Sequence, residues 1–111
     1  KRLMDVNVNG IFLTARATAR QMIRQGRGGV IVNGSSGAGR HGVPNFSHYC
    51  ASKAAIIMMS QALAQELAPH RIRVNCYTPG HIETPLWNDI ADGFAKAKGL
   101  TREQVIASFL E

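Results

Sequence analysis

Two short apolar runs, Val30-Ile31-Val32-Asn33-Gly34-Ser35 and Ile72-Arg73-Val74-Asn75-Cys76-Tyr77, limit most strongly what this chain can fold into. Both read as strands, and the first lacks clean alternation, as expected of a parallel strand covered on both faces. Between them, residues 47–67 carry a helical pattern that stops before Pro69. Strands joined by a helix of about 20 residues lie parallel, with a right-handed crossover. Upstream, residues 3–25 place Val8, Ile11, Phe12, Ala15, Ala19, Met22 and Ile23 at helical spacing, and Gly26 with Gly28-Gly29 ends that amphipathic helix. Residues 84–111 hold two weaker helical patterns on either side of Gly99-Leu100-Thr101, with Thr101, Glu103 and Gln104 as a capping start. The order helix, strand, helix, strand, then two helices predicts part of a doubly wound parallel α/β sheet in one domain. No internal repeat, low-complexity segment or linker interrupts it.

Composition narrows the class further. A chain of 111 residues with 45% hydrophobic and 18% charged residues is suited to burial rather than disorder. The stretch 54–68 is broken by Ser60, Gln61, Gln65 and Glu66, so no segment reaches the roughly 20 apolar residues of a membrane span. The opening Lys1-Arg2-Leu3-Met4-Asp5 has neither an initiator Met nor a signal-peptide core, and is expected to be internal to a longer chain. The net charge of +6 is dispersed; Arg16, Arg20, Arg24 and Arg27 fall at helical spacing and read as a solvated face, not a nucleic-acid stripe. Cys50 and Cys76 fit no metal spacing and read as buried free thiols of a reducing cytoplasm, while the four histidines form no ligand pattern, so no metal is expected.

The chemistry centres on Tyr49-Cys50-Ala51-Ser52-Lys53. Positions i and i+4 share a helix face, which brings a phenol and an ammonium into one space. Two unit charges about 4 Å apart at an effective dielectric near 20 interact by about 4 kcal/mol, the scale needed to make a phenol a usable acid/base. A bare Tyr-x-x-x-Lys arises by chance in roughly one chain in five of this length, so it needs company. Ser36 supplies some: it sits 13 residues earlier, at the carboxyl end of the first strand, where open α/β sheets place ligands. The following Gly37-Ala38-Gly39 leaves the backbone room to turn and a ligand room to approach. Asn7 in Asn7-Val8-Asn9-Gly10 and the segment Pro79-Gly80-His81-Ile82-Glu83-Thr84 fall at the same sheet edge.

Taken together, Asn7 to Gly10, Asn33 to Gly39, Tyr49 to Lys53 and Pro79 to Thr84 resemble, in order and spacing, the motifs of the short-chain dehydrogenase/reductase family over about residues 3–86. The resemblance implies a Rossmann-like fold, of which this chain is the C-terminal catalytic part. It also implies an NAD(P)-dependent oxidoreductase interconverting a secondary alcohol and a ketone, with NAD or NADP as cofactor. By that resemblance Tyr49 is the acid/base and Ser36 holds the substrate oxygen. Lys53 favours the Tyr49 phenolate and binds the nicotinamide ribose; Asn7, through its backbone and a kink in its helix, anchors a proton-relay water. Pro79 and Gly80 pack on the nicotinamide, and the Ile82 backbone and Thr84 side chain fix its carboxamide. The family's first half, with its Gly-rich pyrophosphate turn, has no counterpart here, since Gly26 to Gly29 and Gly34 to Gly42 lack the strand, turn and helix order.

The segment Leu86-Trp87-Asn88-Asp89-Ile90 falls where relatives keep a mobile lid, and the likeness is to enzymes of small polyols, of diols such as butanediol with acetoin, or of hydroxy acids. Ala38, Asn45, Phe46, His81 and Trp87 join Ser36 and Tyr49 as candidate substrate contacts, although Phe46 and Trp87 equally suit a core. The expected partner besides a small alcohol or ketone is a second copy. The family resemblance implies that helices 3–25 and 47–67 pair with their copies as a dimer or tetramer, and the face Ala54, Ile57, Met58, Gln61, Ala62 and Gln65 fits that use. Two rival readings stand beside the enzyme: a truncated chain acting only as an oligomerisation module, and a basic nucleic-acid-binding domain, which would lose affinity steeply with salt.

Overall fold

The computed structural model describes residues 1–80 and 84–110. It divides into two compact units, Lys1–Pro79 and Gly80–Glu111. In the first, a short helix α1 (Arg2–Met4) runs into a π-helical stretch (Asp5–Asn9) and then into α2 (Gly10–Gln25). Strand β1 (Gly29–Gly34), helix α3 (Ser47–Leu67) and strand β2 (Ile72–Tyr77) follow. The second unit holds α4 (Pro85–Lys98) and α5 (Arg102–Leu110).

The strands pair in parallel, Gly29 opposite Ile72 through Gly34 opposite Tyr77, with α3 as the crossover. This is the parallel α/β arrangement that the sequence predicts, and α3 and β2 fall on the expected residues. β1 begins one residue earlier than the apolar run suggests. Ser35 has left the strand, yet its N–H still donates to the Tyr77 carbonyl at 2.9 Å. Within residues 1–79 the buried and exposed positions of the two strands alternate. Ile31, Ile72 and Val74 are buried with Ala19 and Leu67, and Met22, Leu63 and Ala64 pack against them. Val30 and Val32, pointing the other way, are 44% and 58% exposed. The physical reason is that α2 and α3 deliver their apolar residues to one face of a two-stranded sheet. An open groove of about 530 Å³ runs along β1, lined by Ile11, Ala15, Val30, Ile31, Val32 and Asn33 among others.

Glycine governs the way out of α2. Gly26 caps it in the left-handed region at φ 70°, donating to the Met22 and Ile23 carbonyls at 3.1 Å. Gly28 follows at φ 71°, where a Cβ would lie 2.5 Å from the Arg71 carbonyl oxygen. The chain therefore enters β1 against the turn that starts β2, and no side chain fits between them. Residues 3–25 do not form the single regular helix that their periodicity suggests. Over Asp5–Asn9 the Gly10 N–H bonds back five residues to the Asp5 carbonyl, a π-helical turn. Arg16, Arg20, Arg24 and Arg27 all lie exposed, as a solvated face requires. Cys50 and Cys76 are free thiols but only half-buried, because both lie near element ends instead of in the core.

In the second unit, Ala91, Ala95 and Val105 form a small core with Phe94 and Ile106. α5 opens with the reciprocal cap anticipated from sequence: Gln104 N–H donates to Thr101 Oγ1 at 3.2 Å, and Thr101 N–H donates to Gln104 Oε1 at 2.9 Å. Arg102 pairs with Asp92 through Nε at 2.6 Å and through a second, shorter contact from its NH2 group. That hydrogen bond to Arg102 holds the Asp92 carboxyl below the usual carboxylate range. Among the described residues no helix is long and apolar enough to cross a membrane.

Candidate functional site

The first turns of α3 carry the phenol and the ammonium. Asn45, tolerating φ 69° as Asn does more readily than most residues, turns the chain so that Phe46 can cap α3 through its backbone; the Cys50 N–H donates to the Phe46 carbonyl at 2.7 Å. With the helix begun at Ser47, Tyr49 and Lys53 fall one turn apart on one face. The Lys53 ammonium sits 5.7 Å from the centroid of the Tyr49 ring. Both residues are half-buried, and among the described residues Lys53 has no carboxylate ion-pair partner. The Phe46 ring meets Tyr49 edge-on, with centroids 6.3 Å apart and planes at 74°.

The turn after β1 is bonded directly to this helix. Ser35, 6% exposed, donates its hydroxyl to the Lys53 carbonyl at 2.7 Å. Ser36 begins a 3-10 turn (Gly37–Gly39), and its Oγ accepts the Ala38 N–H at 3.2 Å. A serine hydroxyl that accepts can donate at the same time, so the substrate role expected of Ser36 is compatible with this turn role. One of the small residues here also serves the packing of α3. A Cβ on Gly39 would lie 2.8 Å from both the carbonyl carbon and oxygen of Lys53 and 2.9 Å from Ser35 Oγ. The glycine makes room for α3 itself, through the close approach of two backbones.

Two further elements reach the same turns. The Asn7 amide, within the π-helical stretch, donates to Ser52 Oγ at 3.2 Å, and Ser52 in turn donates to the Tyr49 carbonyl at 2.7 Å. At the end of β2, the Pro79 carbonyl accepts the Gly37 N–H at 3.0 Å, which ties the Pro-Gly segment to the Ser36 turn. Four separate stretches, at Asn7, Ser36, Tyr49 to Lys53 and Pro79, thus meet within the first unit. Deeper along α3, the buried Asn33 amide donates to Ser60 Oγ at 2.9 Å, and Ser60 donates to the Ile56 carbonyl at 2.8 Å.

The remaining candidates are distributed differently. Ala38 is half-buried in the Ser36 turn, and Asn45 is exposed at the start of α3. Gly80 and Thr84 belong to the second unit, where Thr84 Oγ1 caps α4 by accepting the Trp87 N–H at 3.2 Å. Trp87 is half-buried in the first turn of α4. His81 and Ile82 lie outside the described residues. Ser35, Ser52 and Ser60 escaped sequence reasoning; the available hint was a small polar residue recurring within otherwise apolar stretches.

The family model for short chain dehydrogenase matches residues 1–94. Galactitol 2-dehydrogenase of Agrobacterium fabrum is 41% identical over 100 residues, covering 90% of this chain and 39% of that protein. The crystal structure of NAD+-bound xylitol dehydrogenase superposes with a TM-score of 0.80 at 42% identity, covering 86% of this chain and 36% of that one. Sorbitol-6-phosphate 2-dehydrogenase of Erwinia amylovora superposes with a TM-score of 0.91 at 30% identity, covering 96% and 42%. The chain spans about two fifths of the length of the curated relatives it matches, 40%, 39% and 40% for three of them.

Proposed function

Since this chain belongs to the short-chain dehydrogenase/reductase family, we propose that it is the catalytic part of an oxidoreductase interconverting a secondary alcohol and a ketone. The observation that carries this reading is the ammonium of Lys53 5.7 Å from the Tyr49 ring, on a helix whose Lys53 carbonyl is bonded to the strand end bearing Ser36. Lys53, with three donors and no carboxylate partner among the described residues, suits the hydroxyls of a nicotinamide ribose. NAD or NADP, when bound, supplies the hydride acceptor in oxidation and the donor in reduction.

In oxidation, Tyr49 takes the alcohol proton as the hydride leaves the carbinol carbon; in reduction it returns a proton to the carbonyl oxygen. Ser36 donates to that oxygen and shares its developing charge. Lys53 stabilises the phenolate while it holds the ribose. The π-helical turn departs from the regular i to i−4 ladder around Asn7, giving its backbone capacity to hold a water that passes protons from Lys53 to solvent. Pro79, Gly80, Ile82 and Thr84 are assigned to the nicotinamide. Ala38, Asn45, Phe46, His81 and Trp87 are assigned to the substrate.

Galactitol, xylitol and sorbitol phosphate in the names of the relatives favour a small polyol or diol as substrate. The two half-buried free thiols suit a reducing, cytoplasmic setting. The test is a full-length protein given C4 to C6 polyols and 2,3-butanediol with NAD+ or NADP+, following reduced nicotinamide. Turnover is expected with at least one of them, and Tyr49→Phe is expected to lower it by about 100-fold or more while the fold survives. A Tyr49→Phe enzyme that keeps most of its turnover defeats the assignment.

A second reading draws on one observation: Ala54, Met58, Gln61, Ala62 and Gln65 form an exposed face of α3, Met58 being 63% exposed. In the intact enzyme we assign this face, with the helix over residues 3–25, to pairing with a second copy as a dimer or tetramer. Were the 111 residues to act alone, the same face would make them an oligomerisation module without catalysis. Titrating NAD+ into the 111-residue chain separates the two, since appreciable binding contradicts the non-catalytic module.

A further inference from the structure

Ser52 is the one polar side chain of α3's first turns that is wholly buried, at 0% exposure. It lies between Tyr49 and Lys53 in sequence but roughly 100° round the helix from Lys53, turned toward the protein. Serine is a poorer helix former than alanine, and a hydroxyl sealed from water is costly unless bonded. Here it is bonded twice, accepting from Asn7 Nδ2 at 3.2 Å and donating to the Tyr49 carbonyl at 2.7 Å.

A serine bonded back to the carbonyl three residues earlier modifies the helix at that point. In this chain that carbonyl belongs to Tyr49. The other end of the link, Asn7, sits in a π-helical stretch, a geometry uncommon outside functional sites. The bond spans 45 positions in sequence and joins the π-helical stretch to the first turns of α3.

We propose that Ser52 is a positioning residue: by fastening the π-helical turn at Asn7 to the Tyr49 carbonyl, it sets the height and rotation of the turn that presents the phenol and the ammonium. It touches neither substrate nor cofactor, and it acts through Tyr49, so the proposal rests on the reading of Tyr49 as the acid/base. Removing the hydroxyl frees the Asn7 amide and lets both turns relax. Displacements well under 1 Å are enough to matter, since a misplacement of about 1 Å can cost 100-fold in rate.

The experiment uses the full-length enzyme with whichever polyol of the panel it oxidises fastest. Ser52→Ala is expected to lower kcat about tenfold with KM for polyol and cofactor changed less than about twofold, the pattern of a lost transition-state interaction. Asn7→Leu removes the other partner and is expected to do the same. Because both break one link, the double variant is expected to lose no more than the worse single variant. The proposal is overturned if Ser52→Ala keeps full kcat, if only KM rises, or if the two effects multiply. Should Ser52→Ala not fold, Ser52→Cys, similar in size with weaker hydrogen bonding, is read by the same criteria. Tyr49→Phe run alongside separates the levels: an active Tyr49→Phe removes the acid/base reading, whereas an inactive Tyr49→Phe beside a fully active Ser52→Ala removes only this proposal.

Discussion

The two units hold themselves together by different means. In Lys1–Pro79, hydrogen bonds made by buried side chains cross from element to element: Asn33 to Ser60, Ser35 to the Lys53 carbonyl, and half-buried Asn7 to buried Ser52. Among the described residues of Gly80–Glu111, an exposed ion pair, two helix caps and the Lys98 ammonium over the Phe94 ring accompany a small core, each local in sequence. Buried bonds are costly to break and leave orphaned partners, so they specify one geometry; exposed local ones cost little to exchange. A site that must hold an acid/base to within a fraction of an ångström belongs on the first kind of framework.

Substitutions can break this contrast, and the largest effect is expected where two backbones touch. Gly39→Ala drives a methyl against the Lys53 carbonyl and Ser35 Oγ, so the Ser36 turn and α3 must separate. We expect a loss of about 1–3 kcal/mol in stability and a fall in kcat of at least about tenfold in the full-length enzyme. Denaturant titration and initial rates measure the two, and an unchanged rate would show that this packing does not set the site.

Ser60→Ala is the next test, because it leaves the buried Asn33 amide without its acceptor. A cost of about 1–3 kcal/mol is expected, the penalty of an unsatisfied buried donor. Its kcat should fall far less than that of Gly39→Ala, because Ser60 lies two helical turns beyond Lys53. A kcat loss as large as that of Gly39→Ala would mean that the whole of α3, not its first turns, governs the chemistry.

The smallest effect is expected in the second unit. Arg102→Ala removes the partner that holds the Asp92 carboxyl below its usual range. A carboxyl lowered in the folded state contributes stability above its unfolded pKa and loses it as pH falls through the folded value. The variant should therefore differ slightly from the parent near neutral pH and converge with it in acid. Amide exchange over α4 and α5 reads this, and a difference that grows on acidification contradicts the pairing.

What the sequence made legible follows the range of each interaction. Helices α2 and α3, the parallel strands and the Thr101-Gln104 cap are written in patterns of a few residues, and each was readable. So was the pairing of Tyr49 with Lys53, one helical turn apart. The π-helical stretch at Asp5–Asn9 was not, because five residues are too few for apolar spacing to distinguish it from an ordinary turn. The serines were not, because the partners of Ser35, Ser52 and Ser60 lie 18, 45 and 27 positions away and become neighbours only once the crossover is formed.

The in-register end of the two strands carries one more consequence. With Gly34 opposite Tyr77, the Ser36 turn and the Pro79 carbonyl leave the sheet at one level, and the Gly37 N–H meets that carbonyl there. Deleting a single residue from β2 would reverse the faces on one side of the deletion, turning outward Ile72 and Val74 or swinging the Pro79 carbonyl to the wrong side. Segment length in this half of the chain is thus a coordinate in its own right. Changes of size belong in residues 41–44, which no strand register measures.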